Sequence, residues 1–219
     1  MTTHAHPPAR IVPLVCLLAA TLFLLTACGK DDAPKTADAA GDPSAYLHPV
    51  GTLSEVDARL FEAAGKGDSE GLVQAMEAGA NVNVADKLKR TPLFATAFFN
   101  RAETAGLLID RGAEVNATDA NGFSPLHAGV VAGGKEVVAV LIARGADIND
   151  RTVGGRTALH LAAATDQPAL VSLLLGNGAN AHAKDREGLT PAALAAKNGH
   201  AAVSTQIRHW AEKRSNRQP

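Results

Sequence analysis

AHAKDREGLTPAALAA, residues 181–196, is the fourth occurrence of one phrase that returns at a fixed interval. Its Thr190-Pro191-Ala192 is preceded by Thr157-Ala158-Leu159, Ser124-Pro125-Leu126 and Thr91-Pro92-Leu93, each starting 33 residues before the next. A second ladder, Gly79-Ala80, Gly112-Ala113, Gly145-Ala146 and Gly178-Ala179, keeps the same step. Two ladders in phase, with no slippage, mark one supersecondary unit repeated along the chain. Such a unit buries its apolar face only by stacking on its neighbours.

The chemistry within each period predicts helix, turn, helix and a hairpin-like finger. Thr91, Ser124, Thr157 and Thr190 suit N-caps, and Pro92, Pro125 and Pro191 stand at the first helical position, where the missing N–H is harmless. The Gly of each Gly-Ala step suits the residue after a helix, where φ is positive. Pro168 falls in the first turn of a second helix, the one place in it that tolerates proline. The fingers are less regular. Their turn glycine is present as Gly122, Gly155 and Gly188 but is Lys89 in the first, and the turn Asp of Asp86, Asp119 and Asp185 is Thr152 in the third. The first finger is therefore expected to be distorted or more mobile, because Lys is disfavoured at positive φ.

The period, with Ser124-Pro125-Leu126-His127, Thr157-Ala158-Leu159-His160 and Gly145-Ala146-Asp147-Ile148-Asn149, resembles the ankyrin repeat over roughly residues 55–213. The resemblance implies an all-α fold, an α-solenoid of stacked helix pairs with short β-hairpin-like fingers. We expect a repeat domain over residues 51–213 with five helix pairs. The first pair, about 56–79, lacks the Thr-Pro start. In the last, about 190–213, Ser204, Gln206 and Arg208 replace apolar residues. Both are read as caps, since a terminal repeat has one face with no neighbour. Residues 214–219 are expected to form a disordered tail.

The N-terminus reads differently. Arg10 precedes an apolar run from Ile11 to Leu25, short for a membrane span and suited to a signal-peptide core. The run ends Leu25-Thr26-Ala27-Cys28-Gly29, which resembles a bacterial lipobox, so residues 1–27 are expected to be a lipoprotein signal peptide and Cys28 the lipidated residue. An ordinary secretory signal or a retained anchor would suit the run too, but the position of Cys28 favours the lipobox. Residues 28–50, rich in Lys, Asp, Ala, Pro and Gly, are expected to be a flexible tether. Cys16 lies in the signal, so the mature chain has no thiol pair to oxidise.

Charge and motifs narrow the function. A formal net charge of −1 gives no electrostatic reason to expect nucleic acid as partner. The chain contains no G-x-S-x-G, H-E-x-x-H or Cys/His zinc spacing, and Gly133-Gly134-Lys135 lacks the spacing of a phosphate loop. No catalytic residue, metal, cofactor or small-molecule substrate is expected. His127, His160 and His200 stand where the repeat family ties turns together by hydrogen bonds. His182 replaces the Asn of Asn83, Asn116 and Asn149.

What the resemblance implies for binding is a concave face of finger tips and first-helix ends. The residues at those positions include Lys87, Leu88, Arg90, Phe98, Phe99, Phe123, Val131, Val153 and Arg156. An apolar centre with basic residues at its edge has the composition of an interface core and rim. The expected function is a non-catalytic, protein-binding ankyrin-repeat lipoprotein of the bacterial envelope. It would act as a scaffold or accessory factor, for example in periplasmic oxidative-stress defence, where proteins resembling this one support a catalase. The alternative is an immunity protein neutralising a secreted toxin or lipase. The expected location is periplasm-facing, lipid-anchored through Cys28. The absence of Asp after Cys28 favours the outer membrane.

Overall fold

The computed structural model describes residues 53–215. The expected signal peptide, Cys28, the whole of the tether and the end of the tail lie outside the described residues. The described residues form ten helices in five antiparallel pairs. They are α1 (Glu55–Lys66), α2 (Ser69–Glu77), α3 (Pro92–Phe98), α4 (Ala102–Asp110), α5 (Pro125–Val131), α6 (Lys135–Ala143), α7 (Ala158–Ala164), α8 (Pro168–Gly176), α9 (Pro191–Lys197) and α10 (Ala201–Ser215). Odd-numbered helices stack on odd and even on even, so the repeats form two helical layers. This is an all-α solenoid.

The starts and stops follow from local chemistry. Thr91 Oγ1 accepts the Phe94 N–H at 3.2 Å, and Thr190 Oγ1 accepts that of Ala193 at 3.3 Å. Pro168 opens α8 at its first position, as its sequence position predicts. The four Gly-Ala steps end the second helices with Gly79, Gly112, Gly145 and Gly178 at φ of 89° to 95°. That conformation is open to glycine without steric penalty.

The core sits between the layers. Leu93, Leu126 and Leu159 of the first helices and Leu108, Leu141 and Leu174 of the second are at most 1% exposed. Small residues let the inner helices approach: Ala95, Ala97, Ala128, Ala162, Ala163 and Ala195 are all buried. The His position of the repeat is filled by Phe61 and Phe94 in the first two units, and both rings are buried too.

Side-chain amides bolt one repeat to the next. Asn83 Oδ1 accepts the Glu114 N–H at 2.8 Å while its Nδ2 donates to the Gly112 carbonyl at 3.1 Å. Asn116 repeats the pair of bonds on Asp147 and Gly145, and Asn149 on Asn180 and Gly178. This explains His182. Its slot faces the equivalents of Gly178 and Asn180 one repeat on, Ala211 and Lys213, and there α10 runs on to Ser215 with no Gly-Ala turn to hold.

Three expectations need correction. The first finger is not distorted. Lys89 takes φ of 59°, and its N–H donates to the Asp86 carbonyl at 2.9 Å, as Gly122 N–H does to Asp119 at 3.0 Å in the second finger. Asp86 enforces the turn by accepting the N–H groups of Leu88 and Arg90 and by pairing with the Arg90 guanidinium. Ser204 does not face water. It is 2% exposed, in register with the buried Leu72, Val138 and Val171. Gln206, half-buried, donates to the Pro168 carbonyl and Ser172 Oγ, closing the stack with polar bonds. The last helix continues to Ser215, beyond the expected boundary at 213, and the Arg214 guanidinium lies over the Trp210 ring at 5.2 Å.

Candidate partner-binding face

The fingers occupy residues 84–90, 117–123, 150–156 and 183–189. One backbone bond joins each to the next: Ala120 N–H to Leu88 carbonyl at 2.8 Å, Val153 to Asn121 at 2.9 Å and Arg186 to Gly154 at 3.0 Å. The fingers therefore form a row joined through the backbone. Leu88 and Val153 project from it with 40% and 53% of their surface exposed. Phe123 is half-buried, its ring edge-on to His127 at 5.8 Å. At the ends of the first helices, Phe98 and Val131 take the same register position on the stacked helices α3 and α5, and both are half-buried. Phe99 caps α3, also half-buried, and meets Phe98 in a T-shaped contact at 5.2 Å.

The basic edge divides into pinned and unpinned groups. Arg90 is pinned: Nε and Nη2 reach Asp86 Oδ2 at 2.7 and 2.6 Å, and its side chain is only 14% exposed. Arg156 is spread between Asp185 at 3.5 Å and Glu187 at 3.4 Å. Lys87 and Lys89 are exposed and pair with no carboxylate among the described residues. Of the candidate cations, Lys87 is therefore the one whose charge is available to a partner. Lys89, at the turn of the same finger, adds a second.

The three finger aspartates differ in their electrostatics. Burial raises the Asp185 carboxyl, but the N–H groups of Leu189 and Glu187 and the Arg156 guanidinium outweigh it and hold its pKa below the ordinary value. The residue that stands to Asp119 as Arg156 does to Asp185 is Arg90, which pairs with Asp86 instead. Burial dominates and raises its pKa, and Oδ2 has no hydrogen-bond partner. Asp86 is closed by Arg90.

The histidines serve structure. His127 Nδ1 accepts the Ser124 N–H at 3.2 Å, and His160 Nδ1 that of Thr157 at 3.2 Å. The proton of each neutral ring therefore sits on Nε2, and that of His160 donates to the Leu189 carbonyl at 3.1 Å. His200 Nε2 likewise reaches the Ala164 carbonyl at 3.1 Å, tying the last turn to the preceding repeat. Burial lowers the pKa of both His127 and His160. In the unfolded chain they titrate near about 6.5. Below that pH the unfolded state binds protons that the folded state refuses, so stability falls as pH drops from about 6.5 toward the folded values. The urea midpoint is expected to be level between pH 7 and 8 and to decline below about 6.5, with His127→Gln flattening part of the slope. A midpoint unchanged from pH 7 to 5 would contradict this assignment.

Two family models describing ankyrin repeats match the chain. The first, "Ankyrin repeats (3 copies)", covers residues 60–152, and the second, "Ankyrin repeats (many copies)", covers residues 141–195. Together they span more than half of the chain, which belongs to the ankyrin-repeat family. No curated protein matches it. The repeats are a protein–protein interaction module, in a family that is generally non-catalytic. Among the described residues no cluster of three or more His, Cys, Asp or Glu has metal-binding geometry.

Proposed function

We propose that this chain is a lipid-anchored ankyrin-repeat protein of the bacterial envelope that binds another protein non-catalytically through its finger row and the ends of α3 and α5, as a scaffold or accessory factor. The observation that carries the binding reading is the backbone-joined row of fingers, with Leu88, Phe123 and Val153 on successive fingers and Lys87 and Lys89 on the first; Phe98, Phe99 and Val131 make a second apolar group at the far ends of α3 and α5. Scattered apolar side chains are ordinary on a surface, whereas a contiguous set with a charged border is characteristic of recognition. Capture from an envelope extract with the full chain as bait tests it. Capture of a defined partner is expected to fall when Phe123 is truncated; equal capture by parent and variant rejects this face. A partner that is a secreted toxin or lipase, neutralised on binding, would make the chain an immunity protein. A catalase partner would favour the oxidative-stress role.

Anchoring rests on Cys28 directly after Thr26-Ala27. Cys28→Ala is expected to abolish incorporation of labelled palmitate and to leave unprocessed precursor. Fractionation of inner and outer membranes then tests the proposed outer-membrane location. Unchanged mass, labelling and membrane association in the variant would remove the lipoprotein reading and leave the binding reading intact.

A further inference from the structure

The second helices enclose a groove on the layer away from the first helices. It is open, about 620 Å³ in volume, and lies between α2, α4 and α6. Its apolar lining includes Val73, Leu107 and Val140. Glu70 and Glu103 border it at equivalent positions of α2 and α4, and Asp110, ion-paired with Arg144, closes its far side.

Gly106 lies in the middle of α4 at this groove, and glycine is the poorest helix former after proline. The other mid-helix glycines are explained by packing. A Cβ on Gly71 would run into the Asp68 carboxylate, and one on Gly129 would press on Val138 and Val137 at 3.1 and 3.2 Å. A Cβ on Gly106 would meet nothing nearer than Arg144 Nη2 at 3.9 Å and Val140 Cγ1 at 4.0 Å, ordinary contact distances. Internal packing therefore does not require glycine here. The corresponding positions of the other repeats hold Val73, Ala139, Ser172 and Thr205. What the missing side chain does is keep the groove open beside Val73 and Leu107.

Charge indicates what the groove would hold. Glu103 has no side-chain hydrogen bond or ion pair among the described residues, and Glu70 accepts only the neutral Gln74 amide at 3.2 Å. Both lie in the first turn of their helices, where negative charge is favourable, but that leaves their outward oxygens available. The groove thus presents an apolar lining with two carboxylates on one side and no unpaired cation.

We infer that this groove is a second docking site, distinct from the finger face, for a cationic amphipathic peptide segment of a partner protein. The segment's apolar side chains would rest on Val73, Leu107 and Val140, with Lys or Arg reaching Glu70 and Glu103. Because the site faces away from the fingers, occupancy of one does not obstruct the other.

The test uses the full chain in non-ionic detergent, with detergent alone as blank. The probe is a fluorescent amphipathic peptide of Leu and Lys, with a Leu and Glu peptide as control, and binding is read by anisotropy at several salt concentrations. The Lys peptide is expected to bind and the Glu peptide not. Gly106→Leu fills the groove, leaves helical content and melting temperature unchanged or raised, and weakens binding at least tenfold. The pair Glu70→Gln with Glu103→Gln weakens it and reduces its salt dependence. Phe99→Ala leaves it unchanged, which separates this site from the finger face. No binding by the parent overturns the proposal, as does equal binding by Gly106→Leu, which would mean diffuse attraction to surface charge. Self-association of the parent that Gly106→Leu abolishes would assign the groove to a second copy and overturn it too.

Discussion

Leu159→Ala is expected to lower the free energy of unfolding by about 2–5 kcal/mol, the range for removing a leucine side chain from a packed interior. Leu159 is fully buried in α7, the inner helix of the fourth pair, with the third pair on one side and the fifth on the other. The cavity opens where two inter-repeat contacts meet. The surrounding helices have little means to close it, because their approach is already set by Ala162 and Ala163, which are themselves fully buried. Leu126→Ala, at the same register one repeat earlier, is expected to act in the same range. Each repeat contacts only its neighbours, so weakening a middle unit also loosens the coupling between the ends. Chemical denaturation followed by circular dichroism checks both points: the variants should unfold at lower denaturant, with a broader transition. A Leu159→Ala curve that overlays the parent would mean the register is wrong.

That register was legible because it is written in residues with a single purpose. Thr or Ser caps, Pro at the first helical position and Gly after the second helix each tolerate few replacements, so their spacing survives in the sequence. Pro168, alone in its period, located α8 for the same reason. Less was legible where one residue's role depends on another's. Lys89 looks disruptive by itself, but Asp86 accepts two N–H groups and the Arg90 guanidinium and holds the turn regardless. Arg90 reads as a rim charge until that ion pair is seen. Ser204 reads as a solvent-facing substitution, because polarity alone does not distinguish an exposed position from a buried one. The amide bolts of Asn83, Asn116 and Asn149 were visible as a repeated residue type, but their span to the next repeat is a fact of stacking. The groove at Gly106 has no ladder to announce it, and only the empty space around a hypothetical Cβ distinguishes that glycine from Gly129.

Phe123→Ala and Phe99→Ala are each expected to weaken capture of the native partner roughly thirtyfold or more, because aromatic anchors near the centre of an interface commonly contribute about 2 kcal/mol or more on truncation. The two rings test different parts of the face. Phe123 belongs to the second finger, between Leu88 of the first and Val153 of the third, in a row fixed by backbone bonds. Little ordering is needed there on binding, so most of its contact energy would remain as affinity. Phe99 stands at the end of α3 in a T-shaped contact with Phe98, and both residues are half-buried. Truncating either ring therefore removes some internal packing as well, and melting temperature must be measured beside affinity. A modest decrease with intact helical content is expected. If Phe99→Ala unfolds the domain, that ring belongs to the core and only Phe123 remains as an anchor. The rim is tested separately with Lys87→Glu and Lys89→Glu, which should slow association and alter its salt dependence while leaving dissociation nearly unchanged. Arg90→Glu would not serve, since it places a second carboxylate against buried Asp86 and would damage the finger itself. Normal binding by both folded aromatic variants would move the partner off this face.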